Sequence, residues 1–240
     1  MKKLQTTTGK VIYEYADDLS LGQALTNASK EGVSFQNIVL MDETIEGAII
    51  QADFSGAALQ RAKFKNCHLK GLIIDIGTKP HGAVFTDCVI DGGNCYTRVS
   101  DWRSIDGMRF ISCVFLDFRI QGVRFGGLHF EDVIFKDGAL ECEFIDSKFS
   151  GCSMPGTVIS SLFKRCDLDR VNFYKTEFSD IATGRPGKYH RTVFDRVNLI
   201  GCNFEGATTD YAEPPHIELR GVTAENCRGY EEIEDLSNKF

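Results

Sequence analysis

The sequence predicts an all-β solenoid, because three observations indicate an inward-facing repeat of five residues. A small residue stands two places before a large apolar one, and the pair recurs at steps of five, as in Ala52/Phe54 and Ala57/Leu59. Sixteen of the 18 phenylalanines occupy the large position, and eight of the nine cysteines occupy the small position. Random placement would put about one in five of each there, so the periodicity is real.

A period of five differs from the 3.6 of a helix and the 2 of a simple strand. The small–x–large pair is nevertheless locally a strand, since residues two apart point to the same side of an extended chain. The next two or three positions are rich in Gly, Asn, Asp and Ser, which tolerate turn conformations. Examples are Gly56, Asn66, Gly71, Gly151 and Gly201. The chain is therefore expected to coil, with the inward side chains of each coil resting on those of its neighbours.

These units resemble those of the pentapeptide-repeat proteins, whose consensus is A(D/N)LXX. The segments ADFSG, CDLDR, VNFYK, VNLIG and CNFEG match it closely, and the resemblance covers roughly residues 33–209. It implies a right-handed quadrilateral parallel β-helix with four pentapeptides per coil. With coils ~4.8 Å apart, eight or nine coils would form a rod of about 40 Å.

Three regions are expected along the chain. Residues 1–32 form an N-terminal cap, with a strand at 11–15 and a helix over 20–32 that Ser20 caps and Gly32 ends. Residues 33–209 form the β-helix. Residues 210–240 form a C-terminal loop and a short acidic helix, which either caps the last coil or pairs with a second copy of the chain. The N-terminal helix resembles the caps of pentapeptide-repeat proteins from phages and other mobile elements.

The repeat breaks at 75–82, 91–107, 184–191 and 210–216, and these segments are expected to be inserted loops. Loops mounted on a rigid scaffold often carry recognition, although proteins also tolerate long surface insertions at little cost. Trp, Tyr and Arg are favoured anchors at protein interfaces. The candidate partner-binding residues are Tyr96, Arg98, Trp102, Arg103, Lys188, Tyr189, His190, Arg191 and Tyr211.

No catalytic group, metal site or cofactor site is predicted. The cysteines lack the short spacings of zinc ligands, and they are expected to pack inward as alanine does. Cys95, placed in a loop beside Tyr96, is the thiol expected to be accessible. His81, His190 and His216 lie in separate predicted loops and would meet only if those loops stack on one side. Paired acids are abundant, as in Glu141/Glu143 and Asp167/Asp169, and Glu143 and Asp167 are expected to point outward and be solvated.

Charge and composition restrict the partners. The net charge is −7 and the pI is about 5.3, which argues against a generally basic nucleic-acid binder. No apolar stretch approaches the ~20 residues that span a bilayer. An odd number of cysteines without an apolar leader is typical of reduced thiols in the cytoplasm.

The sequence therefore favours a non-enzymatic protein-binding rod that inhibits or sequesters a partner protein through its loops and one face. The phage-like cap suggests a phage-encoded inhibitor of a host enzyme or defence protein. One alternative, implied by the family resemblance, is a mimic of duplex DNA that occupies a DNA-binding enzyme such as a type II topoisomerase. Another is an enzyme acting on an extended polymer. A single acidic face would favour the mimic, and a groove with clustered carboxylates would favour the enzyme.

Overall fold

A computed structural model describes residues 1–75, 77–92, 94–96, 104–178, 192–209 and 217–238. These ranges contain 25 strands and two helices. The helices are α1 (Leu21–Lys30) and α2 (Tyr230–Asn238). The strands are β1 (Lys2–Gln5), β2 (Val11–Tyr15), β3 (Thr44–Glu46), β4 (Ile49–Asp53), β5 (Lys63–Lys65), β6 (His68–Ile74), β7 (Val84–Thr86), β8 (Val89–Asp91), β9 (Asn94–Tyr96), β10 (Ser104–Asp106), β11 (Arg109–Ile111), β12 (Val114–Leu116), β13 (Arg119–Gly126), β14 (His129–Glu131), β15 (Ile134–Lys136), β16 (Ala139–Ile145), β17 (Lys148–Ser150), β18 (Val158–Ile159), β19 (Leu162–Lys164), β20 (Asp167–Asp169), β21 (Glu177–Phe178), β22 (Thr192–Asp195), β23 (Asn198–Ile200), β24 (Ile217–Arg220) and β25 (Thr223–Glu225).

From β3 onward the strands pair in parallel, and the chain winds as a right-handed quadrilateral β-helix, as predicted. One side is a separate sheet of nine strands in the order β25-β23-β20-β17-β14-β11-β7-β5-β3. Strands β6, β13 and β16 continue around corners, which joins the other three sides into one network of 14 strands. Nine rungs at ~4.8 Å per coil correspond to a rod of about 40 Å.

The strand register defines four faces, which we number in chain order by their large inward residues. Face 1 is lined by Ile45, Phe64, Phe85, Phe110, Phe130, Phe149, Leu168 and Leu199, and the exposed Ala224 holds the same register position in the last strand. Face 2 is lined by Ile50, Leu69, Ile90, Phe115, Phe135, Met154, Phe173 and Phe204. Face 3 has Phe54, Ile74, Cys95, Ile120, Leu140, Ile159 and Phe178 in register. Face 4 has Leu40, Leu59, Pro80, Ile105, Phe125, Phe144, Phe163, Phe194 and Leu219.

The core consists of aromatic rings stacked from coil to coil. On face 1 the ring of Phe130 lies 5.2 Å from that of Phe110 and 4.9 Å from that of Phe149, with nearly parallel planes. Phe118 is a large residue at a small position, and Gly138 occupies the same position one coil later. A Cβ at Gly138 would lie 2.3 Å from the Phe118 ring, so glycine provides the space that this ring fills.

Polar groups at the small position bond to the coil before them. The Cys113 thiol donates to the carbonyl of Phe85 at 3.4 Å, and the Thr176 hydroxyl donates to that of Met154 at 2.8 Å. Such bonds satisfy a buried donor without disturbing the ladder. They explain why Cys, Ser and Thr replace alanine at inward positions.

The N-terminal cap closes the first coil. Strands β1 and β2 form an antiparallel hairpin, and α1 begins at Ser20 with a capping box to Gln23, as predicted from Ser20. The hydroxyls of Thr26 and Ser29 accept hydrogen bonds from the backbone N–H groups of Ile49 and Gln51 at 3.0 and 2.9 Å. The helix therefore satisfies donors on the open edge of β4, which would otherwise be free to pair with another chain.

The C-terminal helix also acts as a cap. Ile233 of α2 is fully buried, and the Tyr230 ring lies 6.5 Å from that of Phe204. The cover is partial, since β25 is exposed along its length. None of the helices in the described ranges is long and apolar enough to cross a bilayer.

Candidate functional site

Almost all variation in coil length falls at one corner of the β-helix. Successive large residues lie five apart at the corners from face 4 to face 1 and from face 1 to face 2. From face 2 to face 3 the step is also five, except for the four between Ile50 and Phe54. From face 3 to face 4 the step instead ranges from four to 16 residues. We call this fourth position the variable corner.

The steps at the variable corner follow an order along the rod. Ile74 to Pro80 is six residues and Cys95 to Ile105 is ten. Three tight steps follow, of five, four and four residues, at 120–125, 140–144 and 159–163. Phe178 to Phe194 is then 16 residues. Four coils separate the ten-residue step from the 16-residue step, which places their starting points about 19 Å apart on one edge of the rod.

The segments that contain the predicted binding residues are attached to the β-helix at this corner. Tyr96 ends β9, at the start of the ten-residue step. Arg98, Trp102, Arg103, Lys188, Tyr189, His190, Arg191 and Tyr211 lie outside the described residues. The described residues that flank these segments belong to the strand ladder. Phe178 and Thr192 flank 179–191, and Thr208, which lies just before 210–216, pairs with Glu177. Three inserted segments therefore start from the same edge of the rod.

Two of the inserted segments are shorter than the sequence predicts. In 75–82 only one residue is added, because Thr78 and Pro80 are buried as a small–large pair and Lys79 pairs with Ala58. The turn is held by Asp75, whose Oδ1 accepts from the backbone N–H groups of Gly56 and Thr78, both at 3.0 Å.

The predicted loop 91–107 contains the strands β9 and β10, so the insertion is confined to the chain between them. Cys95 is in β9, where its backbone pairs with Ile74 and Ile120, rather than in a loop as predicted. The neighbouring Tyr96 pairs with Gln121. Hydrogen bonds to adjacent coils fix these residues in the ladder, which the sequence pattern did not reveal.

His81 lies apart from the variable corner. It follows Pro80 of face 4, at the corner between face 4 and face 1. There its ring packs on Gly107 of the next coil, where an added Cβ would lie 2.9 Å from Nδ1 of His81. His190 and His216 belong to segments outside the described residues. In the described part of the chain no group of three or more His, Cys, Asp or Glu is arranged to hold a metal ion.

An ion pair with a buried carboxylate lies on face 4 beside the variable corner. Nε of Arg124 is 2.5 Å from Oε2 of Glu143, and the Glu143 side chain is 3% exposed. Glu141 is also buried. The prediction that Glu143 is solvated is therefore wrong, whereas Asp167 is exposed as predicted. The signal available in the sequence was the pairing of Arg124 and Glu143 at the same repeat position in successive coils.

The thiols of Cys152, Cys166 and Cys202 are unsuited to nucleophilic chemistry. Burial raises the pKa of Cys152 and of Cys202 to about 12, and that of Cys166 to about 11. The thiolate is the reactive form, so these side chains are almost fully protonated at neutral pH. They serve as inward packing groups, as the sequence predicts.

The charge is not gathered on one face. Face 1 carries Lys63, Arg109 and Lys148 beside Asp167 and Glu131. A shallow groove crosses its later coils, lined by His129, Lys148, Ser150, Asp167, Asp169 and Asn198. Its two carboxylates are engaged by neighbours: Asn198 donates to Asp167 at 2.9 Å and Ser150 donates to Asp169 at 3.2 Å.

The five-residue step, the four faces and the inward pairs together place the chain in a known group. Residues 50–71 match the family described as pentapeptide repeats (8 copies). The chain is a pentapeptide-repeat protein. No curated protein sequence matches this pentapeptide-repeat protein significantly.

Three solved structures match the chain at low similarity. A trypsin-treated variant of QnrB1, a plasmid-mediated fluoroquinolone resistance protein, is 15% identical, with a TM-score of 0.39, 82% of this chain and 96% of that chain covered. HetL, a pentapeptide-repeat protein involved in heterocyst differentiation regulation in the cyanobacterium Nostoc sp. strain PCC 7120, is 13% identical, with a TM-score of 0.30 and 86% and 93% covered. An alginate lyase from Paenibacillus sp. strain FPU-7 is 10% identical, with a TM-score of 0.23 and 86% and 93% covered. At these values no function transfers to this chain.

Proposed function

We propose that this pentapeptide-repeat protein is a non-enzymatic binding protein, which recognises a partner protein through the segments inserted at its variable corner. It would act by inhibiting or sequestering that partner. The observation that supports the proposal is the attachment of three long insertions to one edge, when the other corners keep a nearly constant step. Insertions tolerated at random would be spread over four corners. Clustering on one edge is what a composite recognition surface requires.

The composition of the inserted segments fits this role. Trp102, Tyr189 and Tyr211 are large aromatic residues in polar segments, accompanied by Arg98 and Arg191. Such residues dominate the binding energy of protein interfaces. The resemblance of the N-terminal helix to phage-type caps suggests a host enzyme or defence protein as the target, in the cytoplasm.

The two alternatives receive less support from the structure. A duplex mimic requires a continuous negative surface, and the exposed middle of face 1 is basic over several coils. A polymer-cleaving enzyme requires a cleft with a positioned acid and base. The groove on face 1 holds two carboxylates, Asp167 and Asp169, and each accepts a hydrogen bond from a neighbouring polar side chain.

The test is affinity capture with variants whose insertions are removed without breaking a coil. Residues 96–104 are replaced by a copy of 121–124, the four residues that join Ile120 to Phe125 in the next coil. Residues 179–193 are replaced in the same way between Phe178 and Phe194. Trp102→Ala is a third variant, and Lys136→Gln on face 2 is the matched control. Captured proteins are identified by mass spectrometry, and a duplex DNA wash is run in parallel.

We expect the wild type and the control to capture the same partner, and the shortened variants and Trp102→Ala to lose it. All variants should keep the wild-type melting temperature within a few degrees. A partner retained by both shortened variants would refute recognition at the variable corner. Release of a DNA-processing enzyme by duplex DNA would restore the mimic alternative.

The exposed last coil is a candidate contact for a second copy, as the sequence suggests for the C-terminal segment. We include this dimer in the proposal because Thr223, Ala224 and Glu225 of β25 are all exposed at the end of the sheet. An exposed edge strand presents unpaired backbone groups. Light scattering of the purified chain measures its mass directly, and a monomer at high concentration would exclude this part.

A further inference from the structure

A basic column runs along the outside of face 1. The register of β5, β7, β11, β14 and β17 aligns one outward position of successive coils. In chain order the residues at that position are Lys63, Val84, Arg109, His129 and Lys148. The next position in the same column is Asp167, which ends the basic run. Four coil steps at ~4.8 Å give the column a length of about 19 Å.

The cations of this column are not neutralised within the chain. Lys63, Arg109 and Lys148 are exposed, and none of them has an ion pair among the residues that the structure describes. Elsewhere the chain places opposite charges at matching positions of adjacent coils, as in Arg61 with Asp42 at 2.5 Å and Arg165 with Asp146 at 2.6 Å.

Like charges on neighbouring strands of a sheet repel one another and destabilise it. Arg109 and Lys148 lie two coils apart in this column, about 10 Å from each other, with His129 between them. The fold gains nothing from this arrangement, because a neutral residue at the position of Arg109 or Lys148 would remove the repulsion between these two cations. An unneutralised basic stack on an otherwise charge-matched surface is a feature that binding would explain.

We propose that the basic column binds an extended acidic segment of a partner protein. The segment would lie along the rod axis, across the strands, with acidic side chains on Lys63, Arg109 and Lys148. Alternate residues of an extended peptide point the same way about 6.6 Å apart, so about six residues would cover the column. Val84 lies between Lys63 and Arg109 in the column and offers an apolar contact there, which suits a peptide that interrupts its acids with an apolar residue.

The surroundings favour a peptide over a nucleic acid. A nucleic acid carries a charge at every nucleotide and needs an unbroken positive track. Here Asp87, Glu131 and Asp132 lie along the far side of face 1, and Asp167 closes the column. A short peptide can place its charges on the cations and avoid these acids.

This inference deepens the proposed protein-binding function and rests on it, because it adds a second contact of defined chemistry to the variable corner. The two surfaces lie on different faces, so they are separable by mutation. In this inference the partner contributes an acidic segment. A duplex mimic would instead bind a partner with a basic groove, so the two models require partner surfaces of opposite charge.

The test measures fluorescence anisotropy of a fluorescein-labelled ten-residue peptide of alternating glutamate and valine, titrated with the full chain. A glutamine–valine peptide and a ten-nucleotide oligothymidine are the comparison probes. The variant is the double substitution Arg109→Gln with Lys148→Gln. The matched control is Lys136→Gln with Lys175→Gln, which removes two exposed cations near face 2. Each titration is repeated at higher salt.

We expect the wild type to bind the glutamate peptide and not the glutamine peptide, with binding that weakens as salt rises. The double variant should lose roughly tenfold in affinity, and the control should change by less than about twofold. The melting temperature of the double variant should equal or exceed that of the wild type, so its loss of affinity would not be due to unfolding. Equal binding by the double variant, no binding by the wild type, or tighter binding of oligothymidine would each overturn the inference.

The double variant also separates this inference from the proposed function. If it captures the wild-type partner undiminished in the lysate experiment while the shortened variants lose it, the variable corner stands and the column is refuted. If it loses the partner and the shortened variants keep it, the variable corner is refuted instead.

Discussion

Arg124 and Glu143 form an ion pair across adjacent coils, with Nε 2.5 Å from Oε2 and the carboxylate side chain almost fully buried. Breaking a buried pair by removing one member is costly, because the remaining charge stays in a poorly solvated site. Replacing Arg124 with methionine, which keeps much of the aliphatic stem, should lower the free energy of unfolding by about 1–3 kcal/mol. Urea denaturation followed by circular dichroism measures this directly.

The matched control for Arg124→Met is Arg165→Met. Arg165 pairs with Asp146 across coils on the same side of the rod, but both side chains are about half exposed. Exposed pairs contribute about 0–1 kcal/mol. Equal losses in the two variants would show that burial of Glu143 does not strengthen its dependence on Arg124.

The aromatic stack should be sensitive to truncation. The Phe130 ring is buried between Phe110 and Phe149 in adjacent coils, and an alanine would leave a cavity that rigid neighbouring coils cannot close. Phe130→Ala should therefore cost about 3–5 kcal/mol. Ile134→Ala, at a position 44% exposed on face 2, should cost less than about 1 kcal/mol. Thermal unfolding of both variants decides the matter, and a near-normal melting temperature for Phe130→Ala would contradict the inward assignment.

The cysteine thiols should differ in their rate of alkylation according to how accessible they are to solvent. Burial raises the pKa of Cys152 and of Cys202 to about 12, so at pH 8 roughly one molecule in 10⁴ carries either thiolate. Iodoacetamide should leave both unmodified in the folded protein and alkylate both in urea. Cys227 is only partly buried and should react first among the cysteines with described side chains. Peptide mass mapping gives the order, and alkylation of Cys152 in the folded state at the rate of Cys227 would contradict it.

The sequence predicts most of the scaffold because one rule governs it. Each small–x–large pair must point inward, and a five-residue step with turn-forming residues satisfies that rule at most corners between Phe35 and Phe204. The paired residues are buried as predicted in the described coils, with Gly138 and Val33 partly exposed. Ser20 and Gly32 carry their own helix-boundary signals, so the N-terminal helix was also predictable.

The variable corner was not predictable for a definite physical reason. Pro80 and Cys95 occupy large positions with residues that the pattern does not expect there. Their register is fixed by hydrogen bonds to coils about 20 residues away, which linear spacing does not reveal. The number of residues assigned to each loop, and therefore the corner it leaves, depends on that register. The repeat pattern also could not predict the burial of Glu143. The pattern indicates only whether a residue points inward, and Glu143 is buried although it lies between the two inward positions.

The N-terminal cap depends on one close approach. Gly22 in the first turn of α1 lies so near β3 that a Cβ would stand 2.0 Å from the carbonyl oxygen of Glu46, a rigid backbone atom. Gly22→Ala should therefore displace α1 and weaken the bonds from Ile49 and Gln51 to its hydroxyls, although alanine favours helix by about 1 kcal/mol.

We expect Gly22→Ala to lower the melting temperature and to raise hydrogen exchange at the Ile49 and Gln51 amides, which lose the Thr26 and Ser29 acceptors. The control is Lys30→Ala, an exposed change at the end of the same helix that should leave both quantities near the wild-type values. Faster exchange confined to those edge amides would show that α1 protects the first coil by hydrogen bonding as well as by apolar contact. An alanine variant as stable as the wild type would mean that α1 can shift outward without releasing this edge.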